Sequence, residues 1–464
     1  MDFSRRGLLS MTRPALVVFT RDLRIRDNPA LVAASDRYRP TLPVFVVDER
    51  LVASGSRSVR RIRLLIDSLR DLDRSLGALG APLIIRRGKW VPEILALATK
   101  VQADEIHLTE DFSPYAIKRI RALKDAAENE GVGVCLHPGV SVVPPGEIGS
   151  FGGGEYKVFT PYFRRWSATA WRTPESPPKG IAPTGFTDSG HEVLEDLLSE
   201  IAVDKASETA WPGGENEALL RLDRWFARSA VHYEQYRDEL LDDRASHLSP
   251  YLHLGCLSPL EVADLALESG CSAYLRQLCW RDFFLQLLAA RPDAVNRDYR
   301  HRGDRWRNDP EDFVEWAEGR TGYPLVDAGM RQLTKQGFLH NRVRMVVASF
   351  LTKDLYIDWR LGAAFFMRHL VDGDVASNQL NWQWVSGTGT GSNPHRVLNP
   401  TRQAERFDPE GHYIRRWIPE LRSVEGSEAL DPSPETRSQT GYPARIVDHQ
   451  EAVGRWKYSR PDKA

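Results

Sequence analysis

The chain predicts an α/β N-terminal domain built on a doubly wound parallel sheet, followed by an all-α C-terminal domain. Three observations predict this. Short β-branched runs alternate with amphipathic helical stretches between residues 14 and 137; the composition turns to Pro, Gly and Ser from 138 to about 215; and helical periodicity takes over from about 216. At 464 residues the chain is about three times a common domain of ~150 residues, so more than one folded unit is required. The boundaries drawn are 12–143 for the α/β domain, 144–215 for the connection and 216–464 for the helical domain.

Residues 14–20, 42–48, 82–86, 105–109 and 132–136 read as strands, and 58–79, 90–99 and 114–130 as the helices between them. Strand–helix–strand repetition implies right-handed crossovers and parallel pairing. No GxGxxG follows the first strand, which weakens a dehydrogenase reading. In the connection, GSFGGG neither follows a strand nor opens a helix with Lys-Ser/Thr, so it reads as linker with an ordered part at 156–168. Downstream, 216–229, 259–267, 273–290, 323–336, 341–352 and 359–370 read as helices, and 422–464 as a loosely structured polar tail.

Composition excludes several classes. Apolar residues at 42% are sufficient for a large core, so wholesale disorder is ruled out. Net charge is −1, so any nucleic-acid surface requires segregated charge; 51 of the 62 basic residues are Arg, which supplies planar phosphate donors. Cys135, Cys256, Cys271 and Cys279 have neither C-x-x-C nor zinc-ligand spacing, which fits a metal-free protein in a reduced, cytoplasmic compartment. No apolar run reaches the ~20 residues of a membrane span, and residues 1–10 lack a signal-peptide core and read as dispensable.

Residues 271–400 hold six of the thirteen Trp. Each alone reads as a core or rim aromatic; as a set, an inward file of oxidisable indoles can conduct an electron to a buried cofactor. Trp382 and Trp384 share a face in a strand but diverge on a helix. Asp372-Gly373-Asp374 reads as a metal-binding D-x-D or as a solvated turn, and spacing alone favours the turn. Asn378 likewise suits a turn. Arg342 and Arg344 read as a solvated helix face, or as one phosphate contact and one internal ion pair.

The runs WRDFF (280–284), TGYPLVDAGMRQL (321–333), GFLHNRVRMVVASFLTKDLYIDWR (337–360), DGDVASNQLNWQW (372–384) and NPTRQAERFDPEGHYIRRWIPEL (399–421), with FTRDLRIRDNPAL (19–31), together resemble the photolyase and cryptochrome family, nearest its class I cyclobutane-pyrimidine-dimer branch. The resemblance covers nearly the whole chain in order. It implies a helical domain holding FAD in a U-shaped conformation, with Tyr233 and Ala245, Ser246, His247, Leu248 and Ser249 about the pyrophosphate. Asp372, Gly373 and Asp374 would lie at the flavin end, Arg344 paired to Asp372, and Asn378 facing flavin N5. The family's usual Thr-Ser opening is Ala245-Ser246 here, one hydroxyl fewer.

Trp382, Trp359 and Trp306 match, outward in that order, the family's electron path. Trp280 and Trp384 match the aromatic walls that hold a flipped dimer. Phe284 is placed with them, and Asn341 and Met345 match the cyclobutane-dimer pocket. Arg237, Arg281, Arg342 and Gln403 match DNA-contacting positions. Gln277 replaces the carboxylate that usually bonds the dimer base; an amide can both donate and accept there without protonation.

The resemblance implies light-driven repair of cyclobutane dimers in damaged DNA by a monomeric protein, with a blue-light photoreceptor as the alternative. Trp280, Trp384, Met345 and the 43 residues after Leu421 favour repair. The antenna chromophore stays open between an 8-hydroxy-5-deazaflavin, a methenyltetrahydrofolate, another flavin or none.

Overall fold

A computed structural model describes residues 13–53, 58–150, 153–202, 211–241, 244–391 and 393–459. The expectation for residues 1–10 lies outside them. Five short segments form β1 Ala15–Phe19, β2 Thr41–Asp48, β3 Ile84–Gly88, β4 Glu105–Thr109 and β5 Gly133–His137. All pair in parallel, in the order β3-β2-β1-β4-β5. Successive side chains alternate between faces. Leu16, Val18 and Val44 pack with Ile94, Leu97, Ile120 and Leu123 of helices Trp90–Val101 and Pro114–Asn129. Ala15, Val17 and Phe45 pack on the other side with Ile62, Ile66 and Leu69 of helix Val59–Ala78. Burial of both faces explains why β1 and β2 read as continuous apolar runs.

The second of these cores does not stop at the sheet. It continues through Trp166, Tyr251, Leu260 and Phe283, joining the α/β part to the first helices of the C-terminal part. Segment 144–215 is tied into that junction. Buried Asp282 accepts from the Val142 and Val143 amides and from Trp166 Nε1, each at 3.0 Å. Glu215 accepts from Ile25 N and Arg26 N at 2.9 and 3.1 Å. The part expected to be ordered, 156–168, forms helix Phe159–Ala168, and the segment also forms helix Glu192–Ala202, whose Leu194, Leu197 and Ile201 are buried. The spacing of those three residues carries a helical signal that the flanking Pro and Gly obscure.

The C-terminal helices follow the expected pattern at Ser272–Ala290, Pro324–Gln336 and Trp359–His369, and a further helix, Val375–Ser386, forms where Asn378 reads as a turn residue and Trp382 and Trp384 as strand or helix. Helix Asn341–Ser349 ends earlier than its periodicity suggests and passes into a π-helical turn, Phe350–Asp354. The expectation of a loose tail is corrected. Residues 422–459 are folded, with helices Pro434–Thr440 and His449–Ser459, and Tyr442 and Trp456 are only 2% and 1% exposed. Ile446 N donates to Thr321 O at 3.1 Å and Tyr323 OH to Val447 O at 2.8 Å. These contacts offset the ordering cost of an otherwise polar segment. Among the described residues no helix is long and apolar enough to cross a membrane.

Candidate functional site

Helix Val375–Ser386 starts where the Asp374 carboxylate caps Ser377 N at 2.8 Å. From that start, Asn378, Asn381, Trp382 and Val385 fall at helical spacing along a cavity of about 480 Å³. Helix Ser272–Ala290 contributes Gln277, Trp280, Arg281 and Phe284 to the same cavity, and helix Asn341–Ser349 contributes Asn341, Arg344 and Met345. Ser246, Ser249, Asp372, Asp374 and Trp384 complete it among the expected residues.

One end of the cavity is polar. Arg344 Nη2 donates to both Asp372 oxygens at 2.9 and 3.1 Å, and Ser249 Oγ donates to Asp372 at 2.7 Å. Arg21, from the loop after β1, donates to Asp374 at 2.6 Å. Its approach depends on Gly255 (φ +70°), where a Cβ would lie 1.9 Å from Arg21 O. Burial pushes both carboxyl groups up, but Arg344 beside Asp372, and Arg21 and Arg281 beside Asp374, outweigh it and hold both below the usual carboxylate range. Burial, reinforced by Arg21, pushes His253 down to about 3, so this cavity-lining imidazole is neutral. Its Nδ1 is buried without a hydrogen-bond partner among the described residues.

Asn378 is oriented by its own amide. Nδ2 donates to Ala363 O at 3.0 Å and to Gln379 Oε1 at 2.8 Å, which spends both hydrogens and leaves Oδ1 as the acceptor for a ligand. Below it, Trp382 is 3% exposed and meets Phe366 and Trp316 at centroid distances of 5.0 and 6.1 Å. Gly362 makes that seat: a Cβ there would come within 2.3 Å of Trp382 Cη2. Trp359 is fully buried, its Nε1 donating to Asp298 at 2.9 Å, and half-buried Trp306 meets Tyr356. Trp384, two residues from Trp382 on the helix, is less buried and stands at the cavity edge.

Another part of the lining is aromatic. Trp280 stacks on Phe159 and lies 5.6 Å from Phe284. Gln277 lines this side one helical turn before Trp280, and Asn341 Nδ2 lies 3.8 Å from Met345 sulfur.

Several expected residues stand apart from the cavity. Ala245 and His247 border a neighbouring pocket of about 230 Å³, and Leu248 is core. Tyr233 meets Tyr274 edge-on at 5.3 Å, and Tyr274 OH lies 3.1 Å from Ser246 Oγ, so Tyr233 stands one ring behind the wall. Gly373 packs against Arg61. Arg237 is exposed, and Arg342 pairs with Asp238 at 2.8 Å while covering Phe407. Gln403 is half-buried with Oε1 unpartnered among the described residues. Arg281 donates to Val140 O and Leu252 O and lines the cavity. Arg21 lies in the run 19–31 and Trp316 among the six Trp of 271–400, but the sequence assigns a site role to neither; it does not single out Phe159, His253 and Tyr274, because each reaches the site through chain reversals that no local motif records.

Hydroxyls, guanidinium groups, a neutral imidazole and an acceptor amide around one cavity suit a dinucleotide bearing phosphates and a conjugated ring. The family model for DNA photolyase matches residues 15–180, and that for the FAD binding domain of DNA photolyase matches residues 274–459. A deoxyribodipyrimidine photo-lyase of Streptomyces griseus is 42% identical, covering 96% of this chain and 99% of its own. The class III photolyase of Agrobacterium tumefaciens superposes with a TM-score of 0.88 at 33% identity, covering 98% of each chain. A Synechocystis cryptochrome gives 0.89 at 27% identity over 97% of this chain and 99% of its own. Fold, FAD-binding domain and near full-length similarity agree, and the chain belongs to the photolyase and cryptochrome family.

Proposed function

We propose that this protein is a light-driven DNA repair enzyme that splits cyclobutane pyrimidine dimers. The supporting observation is that the polar wall at Asn378, Asp372 and Asp374 and the aromatic wall at Trp280 and Trp384 enclose one continuous cavity. FAD, when bound and reduced, would supply light absorption and a single transferable electron. The residues around it have separable tasks.

Ser246, Ser249 and neutral His253 offer hydrogen bonds to the cofactor without adding charge. Arg344 and Arg21 keep Asp372 and Asp374 ionised and rigid. Asn378 Oδ1 accepts a hydrogen bond without placing a negative charge beside the ring. Trp382, Trp359 and Trp306 form the inward electron path. Trp280 and Trp384 receive the flipped bases, recovering part of the unstacking cost, ~1 to 3 kcal/mol per stacked base. Gln277 donates to and accepts from base edges, and Met345 fills the apolar side. Arg237 and Arg342 face the flanking phosphates.

The test is direct. Pre-reduced protein is incubated with dimer-containing oligonucleotide under near-ultraviolet or blue light, and the products are separated chromatographically. Dimers are expected to disappear and (6-4) products to remain. Dimers that persist on bound DNA with reduced FAD present would instead support a photoreceptor.

A further inference from the structure

The outermost ring of the proposed path does not end alone. Trp306 lies against the phenol of Tyr356, with centroids 5.2 Å apart and planes inclined by 51°. Tyr356 is 7% exposed and adopts φ +54°, a left-handed conformation that a bulky residue holds only where its surroundings impose it. They do so here through the strand-like pairing of segments 304–307 and 355–357. Arg307 N donates to Tyr356 O at 2.8 Å, and Arg307 and Ile357 form a parallel bridge. Arg305 N donates to the phenol oxygen, and that phenol donates to Asp304 Oδ1, both at 3.2 Å. The ring is therefore in contact with an indole and its proton is aimed at a carboxylate.

We propose that Tyr356 is the terminal electron donor of the Trp382, Trp359 and Trp306 path, with Asp304 as its proton acceptor. The inference rests on the path stated above. When the photoexcited oxidised flavin has withdrawn one electron from the file, the positive hole rests on Trp306. Tyr356 gives one electron to the Trp306 radical cation. Its O–H bond breaks, and the proton passes to the Asp304 carboxylate. Trp306 returns to its neutral form, Tyr356 is left as a neutral radical and Asp304 as a carboxylic acid. A phenol gives up an electron readily only when its proton can leave, which is the role of the hydrogen bond to Asp304. The hole is thereby held on a buried neutral radical, where charge return is slow, until an external thiol reduces it.

Flash photolysis and electron paramagnetic resonance on the full-length, FAD-loaded, oxidised protein test this. In the unaltered protein a tyrosyl signal should grow as the tryptophanyl signal decays, more slowly in deuterated solvent. Tyr356→Phe preserves the ring contact and should show only tryptophanyl radical, recombining roughly tenfold faster. Asp304→Asn should delay the tyrosyl signal while FAD content and circular dichroism stay unchanged. A tyrosyl signal that survives in Tyr356→Phe, or is absent from the unaltered protein while tryptophanyl radical forms, overturns the assignment and leaves the path standing. Normal photoreduction in Trp306→Phe overturns the path and the assignment with it.

Discussion

Phe159 lies flat against Trp280, with ring centroids 3.6 Å apart and planes 3° from parallel. Arg276 sits 4.8 Å from the centroid of the Phe159 ring, and Phe283 meets Trp280 edge-on at 5.5 Å. A residue of the connecting segment thus backs the indole that lines the cavity, and one face of Trp280 is sealed. Helix Phe159–Ala168 backs the cavity wall, held to helix Ser272–Ala290 through the Trp166 bond to Asp282.

Phe159→Leu should therefore loosen the wall without disturbing the cofactor end. An aromatic pair contributes about 1 kcal/mol beyond its burial. Preference for dimer-containing over undamaged oligonucleotide should fall roughly fivefold in competitive binding, with FAD content unchanged.

Arg21→Ala should have a different signature. It deprives buried Asp374 of its closest charged partner, and breaking a buried pair from one side costs about 3 kcal/mol or more. Chemical denaturation should show that loss, with weaker FAD retention. Arg21→Lys should recover part of it.

Acid should weaken the protein in two stages. His253 is neutral when folded, held near 3 against an ordinary 6.5, so its contribution is complete above about 6.5 and is lost as pH falls toward 3. Asp372 and Asp374, held below the ordinary 3.8, keep their contribution above about 3.8 and lose it as pH falls below that value, which steepens the lower part of the decline. Melting temperature should decline from about pH 6.5 downward, and His253→Gln should flatten the upper part of that decline.

Trp382→Phe should slow light-driven reduction of oxidised FAD by more than about tenfold, while chemically pre-reduced protein still repairs. Transient absorption after a flash separates the two steps. Unchanged photoreduction would point to a route that bypasses this ring.

Trp456→Ala tests the C-terminal segment. Truncating a large buried aromatic costs about 3 kcal/mol or more, and Trp456 is 1% exposed. A lowered denaturation midpoint is expected, with truncation after Leu421 giving aggregation.

The sheet was legible in the sequence because strand signals are local: the alternation in 14–137 reflects burial on both faces of β1 and β2, whatever the rest of the chain does. Asn378, Asp372 and Trp280 were legible through long motifs that resemble a known family. Helix Glu192–Ala202 and the folded segment 422–459 were not, since their stability comes from partners far away in sequence. The same holds for Arg21 on Asp374, 353 residues apart, and for Phe159 on Trp280. The sequence by itself determined the five strands, most of the helices and their order, through hydrophobic periodicity. Only the tertiary structure decided which side chains share the cavity, because ion pairing and ring stacking act over a few ångströms of space and leave no spacing along the chain.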